Sequence, residues 1–113
     1  MIFHLYLGAA PIFREVVLQK SPAEIIDLAV KHTALVRDLT NEYSARYGTR
    51  FRLNYGIEGF SQAEPAFVLE LCEEVKRTWG KAGKGNDRLS FNLAASVEVA
   101  PPNHFADQVR DIF

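Results

Sequence analysis

Hydrophobic and polar residues alternate along three short stretches of the chain, and this period of two predicts three β-strands. The stretches lie at 2–7, around 53–57 and at 89–99. Because successive side chains of a strand point to opposite faces, the middle strand has one apolar face and one face with Asn54, Gly56 and Glu58. A face that is polar toward the carboxyl end of a strand is typical of α/β folds that carry a site there.

A helical period follows the first strand, after a predicted loop that extends to Gln19. Ser21-Pro22-Ala23-Glu24 has the residues of a capping box with proline at the first helical position, so a long helix is predicted to begin there. Gly48 is its predicted end. The apolar stripe predicted for this helix consists of Ile25, Leu28, Ala29, His32, Leu35, Val36, Leu39 and Tyr43.

Two further helices are predicted after the second and third strands. Ser61 and Glu64 have the spacing of a second capping box, and Gly80 is the expected end of that helix. Its predicted buried stripe consists of Phe67, Val68, Leu71, Cys72, Val75 and Trp79. Asn103 is a candidate cap for the last helix, whose apolar stripe is predicted to consist of Phe105, Val109 and Ile112.

The resulting order of strand, helix, strand, helix, strand and helix implies right-handed crossovers and a parallel sheet. The polar or small residues of the three strands are then expected to share one mouth at the carboxyl ends, as in a (β/α)8 barrel. They are His4 and Tyr6, then Asn54, Gly56 and Glu58, then Asn92, Ala94 and Ser96. A closed barrel needs eight strands in about 250 residues. The 113 residues therefore predict an α/β fold that is a partial TIM barrel of about three parallel βα units.

Composition narrows the class of protein further. With 48% hydrophobic residues and a formal net charge of -1, the chain is globular and has no basic field for nucleic acid or an anionic membrane. No apolar run approaches the roughly 20 residues that span a bilayer, and the first residues do not have the pattern expected of a signal peptide. A cytoplasmic location is expected, with mitochondria as the alternative in a eukaryote. The single cysteine, Cys72, is expected to be buried and inert.

Several residues that could bind a ligand or take part in catalysis are better explained by a structural role. Gly83-Lys84-Gly85 lies in a predicted solvated loop, 81–87, with no strand before it and no helix after it, so phosphate binding is not favoured. His32 belongs to a packing stripe, and His104 is expected to be exposed. Trp79 is expected in the core.

The segment 91–108 resembles the 2-isopropylmalate synthase family, in which it usually reads Asn-Leu-Pro-Ala-Thr-Val-Glu, then Pro-Asn, an aromatic residue and Ala-Asp-Gln. Tyr55-Gly56-Ile57-Glu58 is similar to the Tyr-Ser-Pro-Glu segment of that family. The stretch 2–11 resembles its His-x-Tyr strand and the turn that follows. The resemblance covers nearly all of the chain, in order and with compatible spacing.

The resemblance implies that 1–113 is a fragment of a pyruvate-carboxyltransferase-type TIM-barrel catalytic domain. Such acyltransferases condense acetyl-CoA with a 2-oxo acid, here 2-oxoisovalerate, to 2-isopropylmalate in leucine biosynthesis, a branched-chain amino-acid pathway. The implied cofactor is a divalent metal (Mg, Mn or Zn). The implied partners are the two small-molecule substrates and, for the full-length protein, a second copy in a homodimer.

By position, the resemblance makes Glu58 the catalytic acid or base near the acetyl group. His4 and Tyr6 correspond to residues that line the oxo-acid pocket, and Asn92 and Ser96 to the strand whose hydroxyl binds the substrate carboxylate. Removal of a proton from a thioester methyl requires a base within hydrogen-bond reach.

The chain also departs from the family pattern. Ser96 replaces a threonine and keeps the hydroxyl, whereas Gly56 and Ala94 replace serine and proline, and 8–10 lacks the hydroxyls of the usual turn. These smaller residues favour a bulkier oxo acid. The metal ligands of the family, an aspartate on the first strand and a His-x-His pair on the sixth, have no counterpart in this chain. The isolated chain is therefore expected to bind no catalytic metal and to be inactive.

Other interpretations stay open on sequence alone. Glu58 is also suited to capping the helix after its strand, Glu98 to a supporting or structural role, and His4 to a satisfied place in the core. The chain as a whole is alternatively a non-catalytic α/β remnant or a module completed by a partner. Among enzymes, the close alternatives are homocitrate and citramalate synthases or a lyase of the same barrel group.

Overall fold

The computed structural model describes residues 1–82 and 88–112. The regular elements are, in chain order, β1 (Ile2–Gly8), a π-helix (Phe13–Leu18), α1 (Pro22–Tyr47), β2 (Arg52–Glu58), a 3-10 turn (Phe60–Gln62), α2 (Pro65–Trp79), β3 (Leu89–Ala94) and α3 (Pro102–Ile112). The predicted loop 81–87 falls largely outside the described residues.

The three strands form one parallel sheet in the order β1-β2-β3. This topology confirms the predicted α/β fold of three consecutive parallel βα units and is that of part of a TIM barrel. The register aligns residues into rows across the sheet. The three rows are His4, Asn54 and Ser90; Tyr6, Gly56 and Asn92; and Gly8, Glu58 and Ala94.

The core lies between the apolar face of β2 and the two long helices. Leu53, Tyr55 and Ile57 are almost fully buried there, as the alternation predicts. Burial of large aliphatic and aromatic side chains stabilises a fold by about 1.5–3 kcal/mol each. The strand face that carries Asn54, Gly56 and Glu58 is thereby directed away from the core.

The predicted ends of α1 are confirmed. The Ser21 hydroxyl accepts a hydrogen bond from the Glu24 amide (3.3 Å), and the Glu24 carboxylate accepts one from the Ser21 amide (2.8 Å). These bonds lower the pKa of the Glu24 carboxyl, mainly through the Ser21 backbone amide. Gly48 ends the helix with a φ of 70°, which favours glycine.

The predicted stripe of α1 is only partly right. The buried residues are Ile25, Ile26, Ala29, Thr33, Val36 and Thr40. Leu35, Leu39 and Tyr43 are instead 47 to 57% exposed, because α1 packs on α2 and the sheet with the neighbouring face. The apolar side chains of α1 thus cover two faces, and only one of them is buried in this structure.

The predicted start of α2 is wrong. A 3-10 turn covers Phe60–Gln62, and α2 begins at Pro65, with Glu64 as an N-cap residue that makes no side-chain capping bond. The Glu64 carboxylate binds Arg14 instead, and a charge-assisted pair of hydrogen bonds is stronger than a cap. The end at Gly80 and all six residues of the predicted stripe are confirmed.

Two other boundaries differ from the sequence prediction. β3 ends at Ala94 rather than at residue 99, because its last ladder partner is Glu58, the end of β2. The segment after β1 is helical over Phe13–Leu18 rather than a plain loop. α3 begins at Pro102, so Asn103 lies inside the helix and its predicted role as the cap is wrong. Phe105, Val109 and Ile112 are partly buried against the core, as predicted. No helix among the described residues is long and apolar enough to cross a membrane.

Candidate active site

The first row of polar residues crosses all three strands. His4 Nδ1 lies 2.5 Å from Asn54 Oδ1, and Asn54 Nδ2 donates to the Ser90 hydroxyl at 2.9 Å. Because Asn54 donates with its nitrogen, its oxygen accepts, and the His4 ring carries its proton on Nδ1. This network fixes the orientation of the imidazole and leaves Nε2 on the side of Gly56. Ser90 was not predicted as part of this row.

The second row contains Tyr6, Gly56 and Asn92. The rings of His4 and Tyr6 lie 5.7 Å apart between centroids. A Cβ atom on Gly56 would lie 2.9 Å from Tyr6 Cβ and 3.3 Å from His4 Nε2. The space that a side chain at position 56 needs is therefore already occupied by these two residues. Tyr6 and Asn92 are both exposed on this face.

The carboxyl ends of β2 and β3 bring Glu58 and Ser96 together. The Ser96 hydroxyl donates to Glu58 Oε2 at 2.6 Å and accepts from the Gly59 amide at 2.9 Å. Ser96 lies beyond the end of β3, and its hydrogen bond with the Gly59 amide holds it next to the end of β2. The alternation of residues predicts both side chains on the same side, which this contact confirms. A serine hydroxyl can donate one hydrogen bond, and here the Glu58 carboxylate accepts it.

An open apolar cavity of about 360 Å³ adjoins Glu58. Its lining residues are Tyr6, Leu7, Gly8, Phe13, Val17, Leu18 and Glu58. Glu58 supplies the one carboxylate to walls that are otherwise mostly aliphatic or aromatic. A carboxylate at the edge of such a cavity is placed to act on a ligand whose remaining surface is apolar.

An ion pair between the buried Arg14 side chain and the half-exposed Glu64 side chain was not predicted. Arg14 is 3% exposed, and its Nη2 donates to Glu64 Oε1 at 2.6 Å and Oε2 at 2.9 Å. The Arg14 guanidinium also lies 4.4 Å from the centre of the Phe67 ring. Its hydrogen bonds lower the pKa of the Glu64 carboxyl. The two residues are 50 positions apart, so no local pattern connects them.

The other candidate residues lie away from this mouth. Cys72 is 3% exposed, and burial raises the pKa of its thiol to about 12, as expected for an inert cysteine. Trp79 is fully buried. His32 is half-buried on α1, and His104 and Glu98 are exposed.

The implied divalent metal needs several ligands that converge on one point. Within 1–82 and 88–112, no group of three or more His, Cys, Asp or Glu side chains is arranged to hold a metal ion. At this mouth, Glu58 is hydrogen-bonded to Ser96 and His4 to Asn54. The described part of this chain therefore does not fit such a metal by itself, and no chemical step is assigned to one here.

The HMGL-like family model matches residues 1–113, the whole of the sequence. The chain belongs to the HMGL-like family. Among curated proteins, this HMGL-like chain is 41% identical over 106 residues to "2-isopropylmalate synthase 2, mitochondrial" of Saccharomyces cerevisiae, which covers 94% of this chain and 17% of the yeast protein. These findings confirm the resemblance to 2-isopropylmalate synthases.

Two other relatives give the same result. The 2-isopropylmalate synthase of Schizosaccharomyces pombe is 40% identical over 94% of this chain and 18% of that protein. The 2-isopropylmalate synthase of Marinomonas sp. is 37% identical over 96% of this chain and 18% of that protein. The HMGL-like chain thus spans less than a fifth of the length of the curated relatives it matches.

Proposed function

We propose that this chain is the central part of the catalytic barrel of an acyltransferase that condenses acetyl-CoA with 2-oxoisovalerate to form 2-isopropylmalate. The observation that carries the proposal is the Glu58–Ser96 contact at the carboxyl ends of adjacent parallel strands. Relatives that bear the name 2-isopropylmalate synthase support it. We further propose that the complete enzyme is cytoplasmic and forms a homodimer.

Glu58 is the proposed base that takes a proton from the methyl group of the thioester. Such a base requires a fixed carboxylate with one oxygen available to the substrate. The hydrogen bond from Ser96 to Oε2 supplies that fixation and leaves Oε1 for the methyl proton. While Ser96 donates to Glu58, it can bind a substrate carboxylate only if its hydroxyl turns away.

The oxo acid is proposed to lie across the second row of the sheet. Tyr6 and Asn92 offer a hydroxyl and an amide as hydrogen-bond donors for its carboxylate and carbonyl oxygens. The His4 ring, held by Asn54, presents Nε2 toward the same place. Any divalent metal of the complete enzyme is proposed to be bound by other parts of that protein.

The experiment that tests this proposal uses the complete gene product that contains these residues. Release of free CoA thiol from acetyl-CoA is measured with 2-oxoisovalerate, pyruvate, 2-oxoglutarate and longer branched 2-oxo acids, in the presence of Mg, Mn or Zn. Thiol release that depends on 2-oxoisovalerate and yields 2-isopropylmalate by mass spectrometry is expected. A preference for pyruvate or 2-oxoglutarate would indicate a citramalate or homocitrate synthase, and no release with any acid would favour a non-catalytic module.

A further inference from the structure

Phe13 packs against the two glycines that flank Glu58 in space. A Cβ atom on Gly8, the register partner of Glu58, would lie 2.6 Å from Phe13 Cβ. A Cβ atom on Gly59, which has a φ of 72°, would lie 2.9 Å from Phe13 Cε2 and 2.8 Å from Ala10 Cβ. The Phe13 side chain therefore lies directly on the backbone beside Glu58.

The backbone around Phe13 is tied to Glu58 as well. The Ala9 amide donates a hydrogen bond to the Glu58 carbonyl oxygen at 2.8 Å, and Ala9 and Ala10 are fully buried. The amides of Phe13 and Arg14 both donate to the Ala10 carbonyl. A displacement of this turn therefore changes the position of Glu58, because no flexible side chain separates the two.

Arg14 anchors this turn to the helix that follows β2. Both carboxylate oxygens of Glu64, the N-cap residue of α2, accept from Arg14. A buried guanidinium requires such a partner, since an unpaired buried charge is strongly unfavourable. The Arg14–Glu64 ion pair thus connects the π-helix after β1 to the start of α2, the helix that follows Glu58 in the chain.

We propose that Arg14 is a positioning residue for the condensation reaction, which acts on Glu58 through Phe13 and the turn after β1. The inference rests on the proposed function of Glu58. Arg14 is the buried residue of the π-helix and is not among the residues that line the cavity beside Tyr6 and Phe13. Arg14 fixes the position of the Glu58 carboxylate, while Ser96 fixes its orientation.

A double-mutant cycle on the complete gene product tests the proposal. Arg14→Met and Glu64→Gln are each made in the wild-type background and in Glu58→Gln. We expect Arg14→Met to lower kcat about 10- to 100-fold and Glu64→Gln about 3- to 10-fold, with KM for both substrates within about twofold, because small misplacements of a catalytic group reduce the chemical step. In the Glu58→Gln background the same changes are expected to alter kcat by less than about twofold, since they act through Glu58.

A matched control is the exposed pair formed by Arg77 and Glu74 on α2. Glu74→Gln removes a carboxylate from an ion pair of the same type and is expected to leave kcat unchanged in both backgrounds. Equal fold losses for Arg14→Met in the two backgrounds would overturn the positioning role and leave the proposed function intact. If Arg14→Met fails to fold, Glu64→Gln carries the test, and a folded Glu64→Gln enzyme with wild-type kcat would overturn it. Unchanged turnover in Glu58→Gln alone would instead overturn the role of Glu58 in the proposed function.

Discussion

At the residue scale, the Ser96 hydroxyl fixes the orientation of the Glu58 carboxylate, the proposed base. The hydroxyl donates a hydrogen bond to Glu58, and its oxygen accepts one from the Gly59 amide, so the backbone sets the direction of the hydroxyl. A threonine at this position would offer the same hydroxyl.

Ser96→Ala in the complete gene product is expected to lower kcat roughly 10-fold, because Glu58 loses the donor that orients it. KM for the oxo acid is expected to stay within about twofold of the wild-type value. The Ser96→Thr variant, which keeps the hydroxyl, is expected to have the kcat of the wild type. Steady-state kinetics measure both parameters. A rise in KM with unchanged kcat would assign Ser96 to substrate binding instead.

The burial of a single residue was predictable where the periodicity of its own helix or strand determines which face it occupies. Cys72 and Trp79 lie at helical spacing on one stripe and are buried as expected. Arg14 and Glu64 have no such signal, because their contact depends on two turns that meet only in the folded chain. Sequence reasoning therefore assigned Glu64 to a cap and gave Arg14 no role.

At the scale of elements, α1 shows the limit of periodicity. Its apolar residues cover two adjacent faces, and the buried one includes Thr33 and Thr40 rather than Leu35 and Leu39. A hydrophobic pattern cannot choose between two such faces, since the choice depends on where α2 and the sheet lie. The end of β3 has a similar explanation, because a strand ends where its partner ends.

Thr33 and Thr40 provide a matched pair of variants on the buried face of α1. The Thr33 hydroxyl is buried and makes no hydrogen bond in the described structure, whereas the Thr40 hydroxyl donates to the Arg37 carbonyl at 3.0 Å. Thr33→Val is expected to raise the free energy of unfolding by about 1 kcal/mol, because it removes an unsatisfied polar group. Thr40→Val is expected to be neutral or destabilising. Denaturant unfolding measures the change, and a loss of stability in Thr33→Val would contradict it.

The Arg14–Glu64 ion pair predicts a dependence of stability on pH. Hydrogen bonds from Arg14 lower the pKa of the Glu64 carboxyl in the folded state. The pair therefore stabilises the fold above the ordinary pKa of glutamate, and this stabilisation is lost as the pH falls through the lowered value. The difference in Tm between the wild type and Glu64→Gln is expected to be largest near neutral pH and to shrink between about pH 5 and pH 3. A difference that is constant over this range would contradict the pairing.

At the scale of the whole molecule, the described residues leave apolar surface uncovered. Leu39, Tyr43 and Tyr47 of α1 line an open apolar cavity of about 370 Å³ with Met1 and Phe3. No residue of α3 is fully buried. Three strands of a barrel that needs eight are expected to expose such surfaces. The fold class was predictable because the order of elements alone implies parallel strands and one shared mouth.

The central claim is that Glu58 acts on the substrate at this mouth. The most direct measurement is kcat for condensation by the complete gene product with Glu58→Gln, compared with Glu70→Gln, which changes an exposed carboxylate on α2. Glu58→Gln is expected to lower kcat by about 100-fold or more with an unchanged Tm, and Glu70→Gln to leave kcat unchanged. Equal kcat values for the wild type and the folded Glu58→Gln protein would contradict the account.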